Sequence, residues 1–333
     1  MDTTTPLLSV HNLQTHFFTE DGVVKAVDGV SFSIAPRETL CLVGESGCGK
    51  SITALSLLRL IPDPPGKIVD GTIIFNNKNL LEIPERDMRS IRGKDISMIF
   101  QEPMTALNPV FTIGFQIGEV LKTHLGLKGS DLRDRTIEML KLTGIPAPEH
   151  RINEYPHQLS GGMMQRVMIA MALCCNPKLL IADEPTTALD VTIQAQILDL
   201  IVELQEKFHM AVLMITHDLG VVAETAHNVA VMYAGKIVEH APVKELFRNP
   251  QHPYTIGLFE SLPTVAGNQK KLKPIPGTLP DPHNFPEGCP FHPRCFLKQD
   301  ICQQEVPPLE LKADNHLAAC LMRKKYVPQT EPK

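Results

Sequence analysis

Residues 44–51 read Gly44-Glu45-Ser46-Gly47-Cys48-Gly49-Lys50-Ser51, directly after the apolar run Thr39-Leu40-Cys41-Leu42-Val43. The spacing fits G-x-x-x-x-G-K-[ST], a turn that follows a buried strand and opens a helix. In such a loop successive backbone N–H groups surround a nucleotide's phosphates, here from Gly44 through Ile52. Lys50 is expected on the outer phosphates and Ser51 on magnesium. A strand-to-helix turn that binds nothing has no need of Lys and Ser at those two places.

Outward from the loop, apolar runs alternate with helical patterns. Residues 7 to 17 read as a strand-rich opening and Val30 to Ile34 as a strand, and Ile52 to Leu60 as a helix stopped by Pro62-Asp63-Pro64-Pro65-Gly66. Val69–Phe75 and Ile96–Phe100 resume strand character. From Phe111 to Leu142 the pattern turns helical, broken at Gly126 to Gly129. Ser160 caps a helix that runs to Leu173. Then follow a strand from Lys178 to Asp183, a helix from Val191 to Lys207, a strand from Ala211 to Ile215 and a helix towards Ala226. This alternation implies an α/β fold with a mostly parallel sheet covered by helices, its ligands at the carboxyl ends of the strands.

Gln101, Asp183, Glu184 and His217 each stand just after an apolar strand. There an aspartate can hold magnesium through water, a glutamate can orient or deprotonate the attacking water, and a histidine can contact the terminal phosphate. Ser51, Gln101 and Asp183 form the expected magnesium set. Each residue alone is a weak signal, because an Asp-Glu pair is commonly a solvated turn and a strand-end histidine is commonly just exposed.

Composition limits the alternatives. The chain has 333 residues, 43% hydrophobic and 21% charged, which suits a globular protein with one large domain and an appendage. A formal net charge of −5 supplies no overall basic field for nucleic acid. The N-terminus lacks a basic segment followed by an apolar one, and no run of about 18 uncharged apolar residues occurs. The expectation is therefore neither export nor a membrane span. Eight cysteines in such a chain point to reduced thiols or metal ligands more than to disulfides.

Leu159-Ser160-Gly161-Gly162-Met163-Met164-Gln165 resembles the signature sequence of ABC-type ATPases, upstream of the Asp183-Glu184 strand as in that family. Gln101 resembles its Q-loop, Ala188-Leu189-Asp190 its D-loop and His217 its switch histidine. The resemblance covers about residues 7–245. It implies a P-loop NTPase fold of ABC type, with an antiparallel N-terminal β part and a helical subdomain at about 104–176. It also implies a head-to-tail dimer with a second ATPase subunit, identical or not, in which two ATP molecules are sandwiched. Lys50 and Ser51 would act in cis, and Ser160 and Gly162 in trans on the partner's nucleotide, with Gly161, Gln165 and Asp190 also among the implied nucleotide-binding residues. Family members place an aromatic residue against adenine at the end of the first strand, where Phe17 stands, with Phe18 beside it. Cys48 occupies a free loop position and reads as a small tolerated side chain.

Beyond about Pro242 the composition turns to proline, which argues for an irregular extension, taken as 246–333, in place of more sheet. It holds Cys289, Cys295, Cys302 and Cys320, spaced C-x5-C-x6-C-x17-C. Four thiols in a proline-rich tail can staple it around one metal centre. The wide spacing favours [4Fe-4S] over zinc, with two disulfides as a third option. Asn249-Pro250-Gln251-His252-Pro253-Tyr254-Thr255 and Gly288-Cys289-Pro290-Phe291-His292-Pro293-Arg294-Cys295 resemble the extension of the oligopeptide/dipeptide-permease subgroup, which also includes nickel importers. Known clusters in that subgroup imply the four cysteines as ligands.

The resemblance thus implies a subunit at the cytoplasmic face of the membrane, docked on two transmembrane permease subunits and served by an extracytoplasmic peptide-binding protein. Its ATPase activity would energise peptide import, with nickel or another small solute as the alternative cargo. A soluble ABC-type ATPase with a redox-regulatory tail is the rival of another class. One acting on nucleic acid would call for twin ATPase domains, a coiled coil or a basic face.

Overall fold

The computed structural model describes residues 5–187, 189–261 and 274–323. In chain order its strands are β1 (Leu8–Thr19), β2 (Gly22–Ile34), β3 (Thr39–Val43), β4 (Gly66–Phe75), β5 (Lys78–Asn79), β6 (Ile96–Ile99), β7 (Leu179–Asp183), β8 (Ala211–Thr216), β9 (Asn228–Tyr233), β10 (Lys236–Pro242), β11 (Glu310–Ala313) and β12 (His316–Ala318). The described residues fall into two compact units.

One unit takes Phe75–Ile215 with Ile34–Thr39 and the N-terminal residues through Leu8. Its sheet runs β6-β7-β8, all parallel, with Ile96 opposite Leu179 and Leu179 opposite Ala211. Every residue of these strands is buried, as parallel strands covered on both faces require. Helix Gly161–Leu173 packs on β6 and also carries helices Pro103–Ala106, Ile113–Leu125 and Gly129–Leu142. The break expected at Gly126 to Gly129 is real, because Gly126 closes its helix in the left-handed conformation at φ 69°.

The other unit takes Ser9–Ser33, Leu40–Ile74 and Thr216–Lys333. Its strands β1, β2 and β4 pair in the order β2-β1-β4. β3 and β9 are parallel, with Leu42 opposite Ala230, and β10 returns antiparallel to β9. Helix Lys50–Leu57 follows β3, ending three residues short of the expected Leu60. The loop 44–51 and the cysteine-bearing extension belong to this same unit.

The expectation that the tail adds no sheet is overturned. β12 pairs antiparallel with β10 and β11 with β12, through a two-residue turn at Asp314-Asn315 where Asn315 has φ 52°. No proline lies between Pro308 and Cys320, so residues 309–320 keep every backbone donor that strand pairing needs, and β12 covers what would otherwise be an open strand edge. Helix Pro253–Glu260 is the tail's other regular piece, and the stretch 274–309 is irregular apart from single turns.

Candidate nucleotide site and cysteine extension

The loop after β3 is shaped by glycines that no other residue replaces. Gly49 has φ 111°, and a Cβ there would run into the Ala26 carbonyl and the Met232 methyl. Gly47, at φ 85°, also needs the left-handed region. The loop is anchored from behind, where the Gly235 N–H donates to the Cys48 carbonyl at 2.9 Å. Lys50 is buried, and its Nζ donates to the carbonyls of Gly44 at 2.8 Å and Glu45 at 3.0 Å. The ammonium therefore sits inside the loop's own curve. Ser46 and Gly47 are exposed on the loop, and Ser51 and Ile52 are half-buried at the start of the helix. Cys48 is buried, and burial pushes its thiol up, so it is an inert small side chain.

Phe17 is half-buried, with its ring 2.8 Å from where a Cβ on Gly66 would stand, while Phe18 beside it is 52% exposed. His217 is exposed just after β8, and Asp218 caps the next helix by accepting the Gly220 N–H at 2.7 Å. These residues lie in the unit that holds the loop.

In the other unit, Asp183 ends β7 and is 4% exposed. Glu184 follows at φ 45°, a left-handed conformation unusual for glutamate and of the kind stored at functional sites. Its N–H donates to the Ile215 carbonyl, and its Oε2 accepts both the Gln101 amide at 3.1 Å and the Thr187 hydroxyl at 2.9 Å. The structure thus brings Gln101 onto Glu184. Thr187 was not foreseen; a hydroxyl three residues after a strand-end glutamate is the only local signal for it.

Ser160 is exposed and caps helix Gly161–Leu173 by accepting the Met163 N–H at 3.4 Å. Gly161 beside it is exposed and Gly162 half-buried. Gln165 faces inward instead: it is 1% exposed, and its amide donates to the Pro185 carbonyl at 2.5 Å. Its place one turn into the helix turns it towards the loop after Glu184. Asp190 caps helix Val191–Phe208 through the Ile193 N–H at 3.0 Å. Ala188 of the same motif lies outside the described residues.

The four extension cysteines lie within electrostatic reach of one another. Burial first, then the charges of Cys295, Cys302 and Cys320, push the Cys289 thiol up to about 11. Cys302 and Cys320 are buried, and Cys289 and Cys295 half-buried. Backbone N–H groups are directed at three of the sulfurs: Phe291 at Cys289, Leu297 at Cys295 at 3.3 Å, and Met322 with Arg323 at Cys320. Among the described residues, however, no three His, Cys, Asp or Glu side chains are arranged to hold a metal ion. All eight cysteines are free thiols, which removes the disulfide option. Of the nearby histidines, His316 is buried and donates from Nε2 to the Glu239 carboxylate at 2.6 Å.

Among the described residues no helix is long and apolar enough to cross a membrane. Residues 27–187 match the ABC transporter family, and residues 238–302 match the oligopeptide/dipeptide transporter C-terminal region. The dipeptide transport ATP-binding protein DppD of Bacillus subtilis is 52% identical over 317 residues, covering 95% of each chain. The oligopeptide transport ATP-binding protein AppD of the same organism is 53% identical, covering 95% of this chain and 96% of its own. Among solved structures, the dimeric post-hydrolysis ATP-binding cassette MJ0796 bound to ADP and Pi is 27% identical with a TM-score of 0.64, covering 71% of this chain and 98% of that one. A phosphate loop closed around Lys50, a strained glutamate after a buried strand-end aspartate, and these full-length likenesses agree: the chain belongs to the ABC transporter family of ATP-binding, ATP-hydrolysing cassettes.

Proposed function

We propose that this chain is the ATP-hydrolysing subunit of an importer for dipeptides or oligopeptides. The observation that carries it is a nucleotide cassette joined, in one chain, to a region that matches the oligopeptide/dipeptide transporter C-terminal region. The nucleotide-binding domain is taken as residues 1–245, with its helical part at about 104–176, and the extension as 246–333.

The roles follow from the chemistry of each group. Backbone N–H groups from Gly44 to Ile52 receive the phosphates, and Lys50 exchanges its two carbonyl partners for phosphate oxygens. Ser51, Gln101 and Asp183 would hold Mg2+, and a buried strand-end carboxylate suits a divalent cation. Bound there, the ion offsets charge on the phosphates. Phe17 stacks on adenine. Glu184 takes the proton of the attacking water, Gln101 and Thr187 aim its carboxylate, and His217 contacts the terminal phosphate. Gln165 positions the loop after Glu184 from behind. Ser160, Gly161, Gly162 and Asp190 meet the nucleotide of a second, head-to-tail subunit. Closure on ATP and reopening after hydrolysis would drive two transmembrane permease subunits on the cytoplasmic side, with a binding protein delivering peptide outside.

For the extension we propose a four-cysteine metal centre, [4Fe-4S] in preference to zinc. Four sulfurs near one another, with amide N–H groups directed at three of them, supply the donors of such a centre; the metal's own charge would hold them as thiolates once the side chains close in to ligate. Protein purified without oxygen is expected to contain about four iron and four sulfide per chain, the composition of one such cluster. Zinc at one per chain would replace that assignment, and absence of both would end it.

Transport itself is tested by co-purification with tagged permease subunits and by peptide uptake in a strain lacking this chain. Uptake restored by the intact chain and not by Lys50→Ala is the expected result. Peptide uptake unaffected by loss of the chain, with another solute affected, would reassign the cargo.

A further inference from the structure

Glu45 is the one acidic residue of the phosphate loop, and every polar group it has is bound by protein. Its carbonyl accepts Lys50 Nζ. Its N–H donates at 2.8 Å to the hydroxyl of Tyr254, a fully buried residue of the extension's helix. Its carboxylate takes both arms of Arg294, with Nη1 to Oε2 at 2.8 Å and Nη2 to Oε1 at 2.9 Å. The pair spans 249 positions in sequence and lies within one compact unit.

Arg294 is itself held rigidly. Its side chain is 7% exposed, its Nε donates to the Pro276 carbonyl at 2.9 Å, and its guanidinium lies 5.8 Å from the centre of the Tyr233 ring. That ring packs against Tyr254 and Phe291, which binds the arginine and the tyrosine into one aromatic wall. Leu279, also from the extension, approaches the loop at Gly47. A two-pronged guanidinium–carboxylate bond in such a setting fixes geometry as well as charge.

A carboxylate in a loop that must accept a triphosphate is a liability unless it is neutralised. We infer that Arg294 is a positioning residue for nucleotide binding: by neutralising Glu45 and fixing its side chain, it holds the phosphate loop in a form that accepts ATP. The cysteine-bearing extension thereby sets the affinity of the ATP site. Tyr254 adds the backbone restraint at the same residue.

The inference rests on reading residues 44–51 as the ATP site, and the two can fail separately. The test is titration of the full-length chain with a fluorescent N-methylanthraniloyl ATP, alongside melting temperature. Arg294→Ala should weaken binding about tenfold, a coupling of ordinary size between linked groups. Arg294→Lys, which keeps the charge and loses the fork, should fall between. Glu45→Gln combined with Arg294→Ala should recover most of the affinity, because no uncompensated carboxylate then faces the phosphates. A merely structural staple predicts the reverse, with the double variant binding as weakly as Arg294→Ala. Affinity of Arg294→Ala within twofold of the unmodified chain would also overturn the inference while leaving the ATP site intact. Failure of the unmodified chain to bind ATP would overturn both. If Arg294→Ala does not fold, the comparison of Arg294→Lys with Glu45→Gln/Arg294→Lys decides in the same way.

Discussion

Glu184→Gln is expected to lower ATP hydrolysis by about 10²- to 10⁴-fold, the range general-base catalysis supplies, while ATP binding is retained. The amide is the same size, but it cannot accept the proton of the attacking water. It also changes what Gln101 and Thr187 meet, since both now donate to a carboxylate oxygen. An amide that turns its oxygen to them keeps the left-handed backbone at Glu184 and so keeps the fold. The variant should therefore accumulate as an ATP-bound dimer in size-exclusion chromatography. Hydrolysis at the unmodified rate would remove Glu184 from the proposed mechanism. A monomer that no longer binds ATP would show that the substitution damages the site instead of the chemistry.

Glu239→Ala is expected to be the most damaging substitution to stability outside the nucleotide loop. Glu239 lies at the irregular point of β10 and is completely buried. Its carboxylate accepts the N–H of Gln251 at 2.6 Å, the N–H of His252 at 2.8 Å and His316 Nε2 at 2.6 Å. It thereby pins the start of helix Pro253–Glu260 and the strand β12 to β10. His252 in turn accepts the Tyr254 N–H at Nδ1, at 3.1 Å, and burial keeps its imidazole neutral, pushed down to about 4. Truncation leaves two buried backbone donors and one imidazole without an acceptor, which costs about 3–5 kcal/mol. Local opening should be visible as faster amide exchange across residues 249–260 and 316–318, and as easier proteolysis of the extension. Exchange in those segments unchanged from the unmodified chain would mean that the hydrophobic contacts of the extension suffice without the carboxylate.

The parts of this protein that were legible in sequence are those whose signal is local. The loop 44–51, the cap at Ser160, the mostly apolar strands β6 to β8 and the strand-end positions of Gln101, Asp183 and His217 each follow from residues within one turn of one another. Strands β9 and β10 were not anticipated; in β10, Glu239 and His240 interrupt the apolar pattern. The glutamate is buried only because partners from residues 251, 252 and 316 reach it. Strands β11 and β12 were hidden by the prolines before them.

Sequence alone therefore determined the family and the loop 44–51, and named the residues proposed to act on ATP, since backbone geometry and phosphate chemistry restrict which side chains can stand at those spacings. Tertiary structure alone decided that Gln165 looks inward, that Thr187 steadies Glu184, and that the cysteine extension grips Glu45 through Tyr254 and Arg294. Those are contacts between residues as far as 249 positions apart. A charge's partner at that distance is set by how the chain packs, and no local pattern of residues records it.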